Sequence, residues 1–106
     1  MMKKHVLPLR ILLHVPTAAA LIRARNNANN IAADDPTAEV RIVVNADAVG
    51  AVPDAPDAML DARTMVCPKT LRRMGRVAPF PLVVLPIAAA LSLALMQRER
   101  WCYVRA

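Results

Sequence analysis

Short apolar runs alternate with segments of helical pattern along this chain, and that alternation constrains its fold more than any other feature. The runs predict strands at residues 9–15, 39–44, 65–67, 82–85 and 101–104. Helices are predicted at 18–33, with Thr17 as N-cap, at 46–52, from Pro68 to a stop at Gly75, and at 87–98, with a helical turn at 57–62. Strands that alternate with helices form parallel sheets covered on both faces. We therefore expect an α/β fold, a three-layer α/β/α sandwich with a mainly parallel sheet of about five strands, in a single domain over residues 1–106.

Charge and glycine content bound the classes of partner. The net charge is +6, which suits anionic partners, but no basic-aromatic interleaving or zinc-finger spacing accompanies it. Only Gly50 and Gly75 are present, too few for a glycine-rich phosphate loop. We therefore expect no nucleic-acid partner and no cofactor. We also expect no metal, because the two histidines and two cysteines show no metal-ligand spacing.

Residues 77–96 form an uncharged stretch of membrane-spanning length. Three prolines, at positions 79, 81 and 86, interrupt its first half and favour a strand followed by a helix. We therefore expect no membrane partner, with a small membrane protein as the competing interpretation. Two cysteines without a clear export signal favour a reducing, cytoplasmic location. An apolar stretch with leading lysines at residues 1–21 mimics a signal peptide, but Arg10 and His14 interrupt it and favour a strand.

The predicted helix at 87–96 has Ser92 as its only polar residue. A helix that is apolar all round should be buried all round. In a domain of this size, a helix on the sheet surface would leave its outer face uncovered. The sequence therefore predicts a homo-oligomer with this helix at or near the contact.

Cys67 is the candidate catalytic residue. It ends a short apolar run and directly precedes Pro68, which suits the first position of a helix. Four cationic residues then fall on one helical face: Lys69, Arg72, Arg73 and Arg76. A helix N-terminus and nearby cations both favour the thiolate, which is the nucleophilic form. The competing interpretation is a cysteine that only fills space in the core.

His14 and Asn45 lie at the predicted carboxyl ends of the first two strands, where parallel sheets form their sites. A strand-end histidine without a role and a turn asparagine are the alternatives for these two residues.

The ordered motifs of the chain resemble the DsrE/DsrF-like family of small proteins of intracellular sulfur oxidation and sulfur relay. The resemblance includes Asn26-Asn27 and Asn30 in the first helix, Val43-Val44-Asn45, Cys67 with Thr70-Leu71, and Val84-Leu85-Pro86 followed by Gln97, Trp101, Tyr103 and Val104. Lys69 and Arg100 depart from it, since the family usually has asparagine and glycine there. The resemblance implies an α/β/α sandwich, frequent oligomers, and a cysteine that carries a persulfide in some members.

These observations together predict a small oligomeric sulfur carrier, at most a sulfurtransferase-like one, in which Cys67 accepts sulfane sulfur as a persulfide. Its partners would be further copies of the chain and a sulfur donor or acceptor protein. The predicted substrate-binding residues are Lys69, Thr70, Arg73, His14 and Asn45. The alternative is a non-catalytic oligomer of the same fold that binds an anion or another partner. Cys102 is expected to be the inert cysteine, on the opposite face of its strand from Trp101 and Tyr103.

Overall fold

The computed structural model describes residues 7–106, which form one parallel five-stranded sheet in the order β4-β3-β2-β1-β5. The strands are β1 (Arg10–Val15), β2 (Glu39–Val44), β3 (Thr64–Val66), β4 (Val83–Val84) and β5 (Cys102–Arg105). The helices are α1 (Ala18–Asp34), α2 (Ala48–Asp54), α3 (Pro68–Met74) and α4 (Ala89–Arg98), with a 3-10 turn at Asp61–Arg63. The predicted α/β fold is confirmed.

The strand order determines which face of the sheet each helix covers. From β1 to β4 the chain moves steadily in one direction, so right-handed crossovers place α1, α2 and α3 on one face. The connection from β4 to β5 runs back across the sheet to the far side of β1, which places α4 on the opposite face. The predicted three-layer arrangement is therefore confirmed, with three helices on one face and α4 on the other.

Local signals in the sequence explain where two helices begin and end. Thr17 caps α1, since its side-chain oxygen accepts a hydrogen bond from the Ala20 amide at 3.1 Å. Pro68 occupies the first turn of α3, where its missing N–H costs nothing. Gly75 ends α3 with φ of 65°, in the left-handed region that favours glycine. All three positions match the sequence prediction.

The core lies where β1 and β2 are covered on both faces. Leu12 and Leu13 of β1 are fully buried, as are Ile42, Val43 and Val44 of β2. Consecutive buried residues are typical of inner strands of a parallel sheet. All residues of the edge strands β4 and β5 are exposed, in contrast.

Several predicted boundaries were wrong by one or two residues. Strand β4 has only two residues instead of four, and α4 begins at Ala89 instead of residue 87 because Ala88 is still extended, with ψ of 142°. Trp101 precedes β5 because its amide donates to the Met96 carbonyl at the end of α4, which removes it from the sheet ladder. Arg100 before it has φ of 73°, in the left-handed region that favours glycine.

The apolar stretch at residues 77–96 is divided between a turn, β4 and most of α4. Within residues 7–106, no helix has both the length and the apolar character needed to cross a membrane. Helix α4 is also not buried all round. Leu93 faces the core at 8% exposure, whereas Leu91 is 51% exposed on the outer side.

Candidate functional site

Cys67 lies at the carboxyl end of β3 and forms the N-cap of α3. Its amide donates to the Val44 carbonyl at 3.0 Å, which continues the pairing of β3 with β2 by one residue. Only 6% of the residue is exposed. The thiol is therefore held at the edge of the sheet where sites of parallel α/β folds form, as the sequence predicts.

A second helix also begins at Cys67. The amide of Ala89, the first residue of α4, donates to the Cys67 Sγ at 3.5 Å. This contact arises because β4 pairs with β3, so the chain leaves β4 at the same edge of the sheet. The sequence analysis missed the Ala89 amide, since it could not order the strands. One signal was available in the sequence: Pro86 follows the predicted strand at 82–85 and marks the start of the next helix.

The environment of Cys67 lowers the pKa of its thiol below the ordinary value. Burial alone raises the pKa, because a charged thiolate loses hydration. The amides of Thr70 and Ala89, the Thr70 hydroxyl and the Lys69 amide together outweigh that effect. The Ala89 amide is within hydrogen-bond distance, whereas the Cys67 side chain makes no capping hydrogen bond of full geometry within α3. The amides around the N-cap then act mainly through their dipoles, and the thiolate is stabilised by main-chain groups.

The cationic residues of α3 face solvent. Lys69, Arg72 and Arg73 are exposed, and Arg76 donates to the Asp54 carboxylate at 2.7 Å. Thr70, by contrast, is buried, and its Oγ1 lies 3.5 Å from Arg73 Nη2. The buried Thr70 acts directly on the Cys67 thiol, while the charged groups of Lys69 and Arg73 are not among the causes of its lowered pKa.

His14 and Asn45 form a second polar group at the same edge. His14 Nε2 lies 2.9 Å from Asn45 Oδ1, and His14 Nδ1 lies 2.6 Å from the Tyr103 hydroxyl. The structure thus brings the two predicted residues together and adds Tyr103, which the sequence analysis did not select. Tyr103 is part of the C-terminal pattern of the sequence, but only the pairing of β5 with β1 brings it to His14.

Cys102 has a different setting. It lies at the start of the edge strand β5, is exposed, and pairs in register with Ile11 of β1. It faces the side of the sheet that carries α1, opposite to Tyr103, as predicted. Both cysteines are free thiols. Within residues 7–106, no cluster of three or more histidine, cysteine or acidic side chains is arranged to hold a metal ion.

Comparison with known proteins establishes the fold and nothing finer. No protein-family model matches the chain, and no curated protein matches it. Among solved structures, the chain is similar to the protein of unknown function MTH1491 from Methanobacterium thermoautotrophicum, with a TM-score of 0.82 and 19% sequence identity. The match covers 92% of this chain and 99% of that one, so nearly all of both chains share the architecture.

Proposed function

We propose that the protein is a small sulfur carrier in which Cys67 accepts sulfane sulfur as a persulfide and passes it to an acceptor thiol. The observation that carries the proposal is the position of the Cys67 Sγ at the starts of both α3 and α4, where the Ala89 amide donates to it at 3.5 Å. Main-chain groups lower the pKa of this thiol in spite of its burial. A stabilised thiolate is the form that attacks a sulfane sulfur.

The chemistry balances without a cofactor or an external oxidant. In loading, the Cys67 thiolate forms a bond to the outer sulfur of a donor persulfide, the donor S–S bond breaks, and the donor thiolate leaves. In delivery, an acceptor thiolate attacks the outer sulfur on Cys67, and the Cys67 thiolate leaves. The Ala89 amide and the groups of α3 stabilise this anion in both directions, as attacking group and as leaving group.

Access to Cys67 favours a slender donor over a bulky one. The residue is only 6% exposed, and the segment that leads from β4 into α4 passes beside it. A cavity of about 310 Å³ opens along that segment, lined in part by Met65, Leu85, Pro86 and Ile87. Met65 lies two residues before Cys67 in the β3 segment, so their side chains share the α4 face of the sheet. Cys67 is not among the lining residues, so the cavity supplies a neighbouring apolar surface, and it is the low exposure of Cys67 that favours a small persulfide as donor.

We further propose that the protein acts as a homo-oligomer in a reducing compartment such as the cytoplasm, with a sulfur donor or acceptor protein as its partner. The outer side of α4 presents Ala90, Leu91 and Ala94, which have no polar groups to meet water. Leu91→Glu should lower the native mass while the fold remains intact. Leu93→Glu instead places a charge in the core and should unfold the chain, which makes Leu91 the informative position.

The second candidate is a non-catalytic oligomer of the same fold that binds a small anion or an acidic partner. The guanidinium groups of Arg72 and Arg73 on α3 favour it, because they are exposed to solvent. This protein would not transfer sulfur, and neutral substitutions at the two arginines would remove its binding.

Intact mass spectrometry after incubation with glutathione persulfide separates the two candidates. The sulfur-carrier proposal predicts the gain of one sulfur atom that dithiothreitol removes. Cys67→Ser should abolish that gain, whereas Cys102→Ser should retain it. A protein that gains no sulfur, or that gains it only on Cys102, would contradict the proposal and leave the binding protein as the better account.

A further inference from the structure

Three polar side chains, two from strands β5 and β1 and one directly after β2, form a hydrogen-bonded row on the α4 face of the sheet. The Tyr103 hydroxyl of β5 contacts His14 Nδ1 of β1 at 2.6 Å. His14 Nε2 then contacts the Oδ1 of Asn45, directly after β2, at 2.9 Å. His14 and Asn45 are both partly buried, so water competes only partly for their hydrogen bonds.

The direction of these hydrogen bonds follows from the Asn45 oxygen. An amide oxygen only accepts, so His14 Nε2 carries the ring proton and donates it to Asn45 Oδ1. In the neutral ring, Nδ1 is then an acceptor, and the Tyr103 hydroxyl donates to it. The row therefore fixes both the tautomer of His14 and the orientation of the Asn45 amide, whose Nδ2 donor group points away from the ring.

The sheet register places Cys67 next to that donor group. Val44 pairs with Val66, and the Cys67 amide donates to the Val44 carbonyl, so Asn45 and Cys67 are opposite each other in neighbouring strands. Val43 and Met65 lie on the α4 face, and Asn45 and Cys67 each come two residues later in the same strand direction. Both side chains therefore project from the α4 face. Neighbouring strands lie about 4.8 Å apart. An anion built outward from the Cys67 Sγ is therefore within reach of the Asn45 amide.

We infer that Tyr103 is a positioning residue that acts through the His14 tautomer to turn the Asn45 amide donor toward the outer sulfur of a Cys67 persulfide. This inference rests on the proposed function. It concerns the added sulfur and not the thiol itself, because the groups that stabilise the thiolate belong to α3 and α4. After loading, the donor thiolate has left with the negative charge, and the outer sulfur on Cys67 then loses its proton to water. The Asn45 amide donates to the resulting anion and replaces part of its hydration.

Loss of the Tyr103 hydroxyl releases this arrangement. Without a donor at Nδ1, the ring proton can move to Nδ1, and Nε2 becomes an acceptor. The Asn45 amide then turns its Nδ2 group toward the ring and its oxygen toward Cys67. An oxygen beside an anionic sulfur is repulsive, so the effect of Tyr103 on the persulfide is larger than the loss of one distant hydroxyl would suggest.

The first part of the test reads the tautomer directly, by ¹⁵N NMR of His14 in the full-length Cys102→Ser protein. We expect a protonated Nε2 and an unprotonated Nδ1 in this parent, and a shift toward protonated Nδ1 in Tyr103→Phe. Val104→Ala is the matched control, since it lies next to Tyr103 in β5 but faces the other side of the sheet. A parent ring protonated at Nδ1, or a tautomer that Tyr103→Phe does not change, overturns the inference.

The second part measures the equilibrium between the Cys67 thiol and its persulfide, with glutathione persulfide and glutathione as the probe pair. Tyr103→Phe should reduce the equilibrium constant for loading by roughly tenfold, as expected for one hydrogen bond to a charged group. Asn45→Leu, which has nearly the same shape but no amide donor and no added charge, should reduce it at least as much. Iodoacetamide should alkylate the unloaded thiol at the same rate in parent and variants. General damage to the fold would instead change both the loading equilibrium and the alkylation rate.

The outcomes distinguish the inference from the proposed function. A parent that takes up no sulfur contradicts both, while the tautomer measurement still reports the hydrogen-bonded row. A parent that loads normally, with Tyr103→Phe and Asn45→Leu loading equally well, contradicts the inference alone. Equal losses in loading and in alkylation rate also overturn it, because Tyr103 would then support the fold and not the added sulfur.

Discussion

The two cysteines of this chain occupy opposite kinds of environment. Cys67 is buried at the carboxyl end of an inner strand, between the starts of two helices. Cys102 is exposed on the edge strand β5, where neighbouring residues of the strand are also exposed. The difference teaches that the position of a thiol relative to helix starts and strand ends decides its chemistry, since main-chain amides are fixed in place and cost no ordering at the moment of reaction.

The largest expected difference between the two thiols is in access. The sequence prediction that Cys102 is the inert cysteine took no account of access. With N-ethylmaleimide at alkaline pH, the exposed Cys102 should react at least roughly tenfold faster than Cys67, because Cys67 must await local opening of its surroundings. With the smaller reagent methyl methanethiosulfonate, the ratio of the Cys102 rate to the Cys67 rate should be smaller. Denatured protein is the control, in which both thiols should react at similar rates. Equal rates with the bulky reagent in the folded protein would mean that Cys67 is open to solvent.

The next effect comes from the hydroxyl of Thr70. Thr70→Val removes the buried hydroxyl that helps to lower the pKa of Cys67 and keeps nearly the same side-chain volume. The pKa of Cys67 should rise, with a loss of roughly threefold to tenfold in thiolate at neutral pH. Thr70→Ser retains the hydroxyl and is the matched control. An unchanged pKa in Thr70→Val would remove this hydroxyl from the account.

The smallest expected effect is on stability. Because the pKa of Cys67 is lower in the folded state, its ionisation stabilises the protein fully above the unfolded value of about 8.5. That contribution declines as pH falls toward the folded pKa and is absent below it. The free energy of unfolding, relative to Cys67→Ser, should therefore rise with pH in this window, by at most about 1.4 kcal/mol per pH unit. Urea denaturation of both proteins across the window measures this, and a difference that is constant with pH would contradict it.

Local signals in the sequence were sufficient for the order of elements and for the placement of Cys67. Alternating apolar runs predicted the parallel sheet, and Thr17, Pro68 and Gly75 marked helix ends because each acts on its own neighbours. The edge strands were less predictable. Strand β4 is only two residues long, and Trp101 is held by the end of α4 instead of joining β5. Edge pairing depends on what lies beside the strand, which residue patterns do not encode.

The composition of the site required the strand order, which the sequence did not provide. Ala89 reaches Cys67 because β4 pairs with β3, and Tyr103 reaches His14 because β5 pairs with β1. Both contacts join residues far apart in sequence. Ala89 belongs to no motif, and the C-terminal pattern that contains Tyr103 does not indicate its contact with His14. The apolar composition of α4 likewise could not tell which leucine faces outward, whereas the helix orientation buries Leu93 and exposes Leu91.

The central claim is that main-chain amides and the Thr70 hydroxyl lower the pKa of the Cys67 thiol in spite of its burial. The most direct test is the rate of iodoacetamide alkylation of Cys67 against pH, in the Cys102→Ser protein, read from the position of the inflection and not from the plateau rate. The account predicts an inflection below the value of about 8.5 for a free cysteine. An inflection at or above that value would show that burial outweighs the amides, and it would contradict the account.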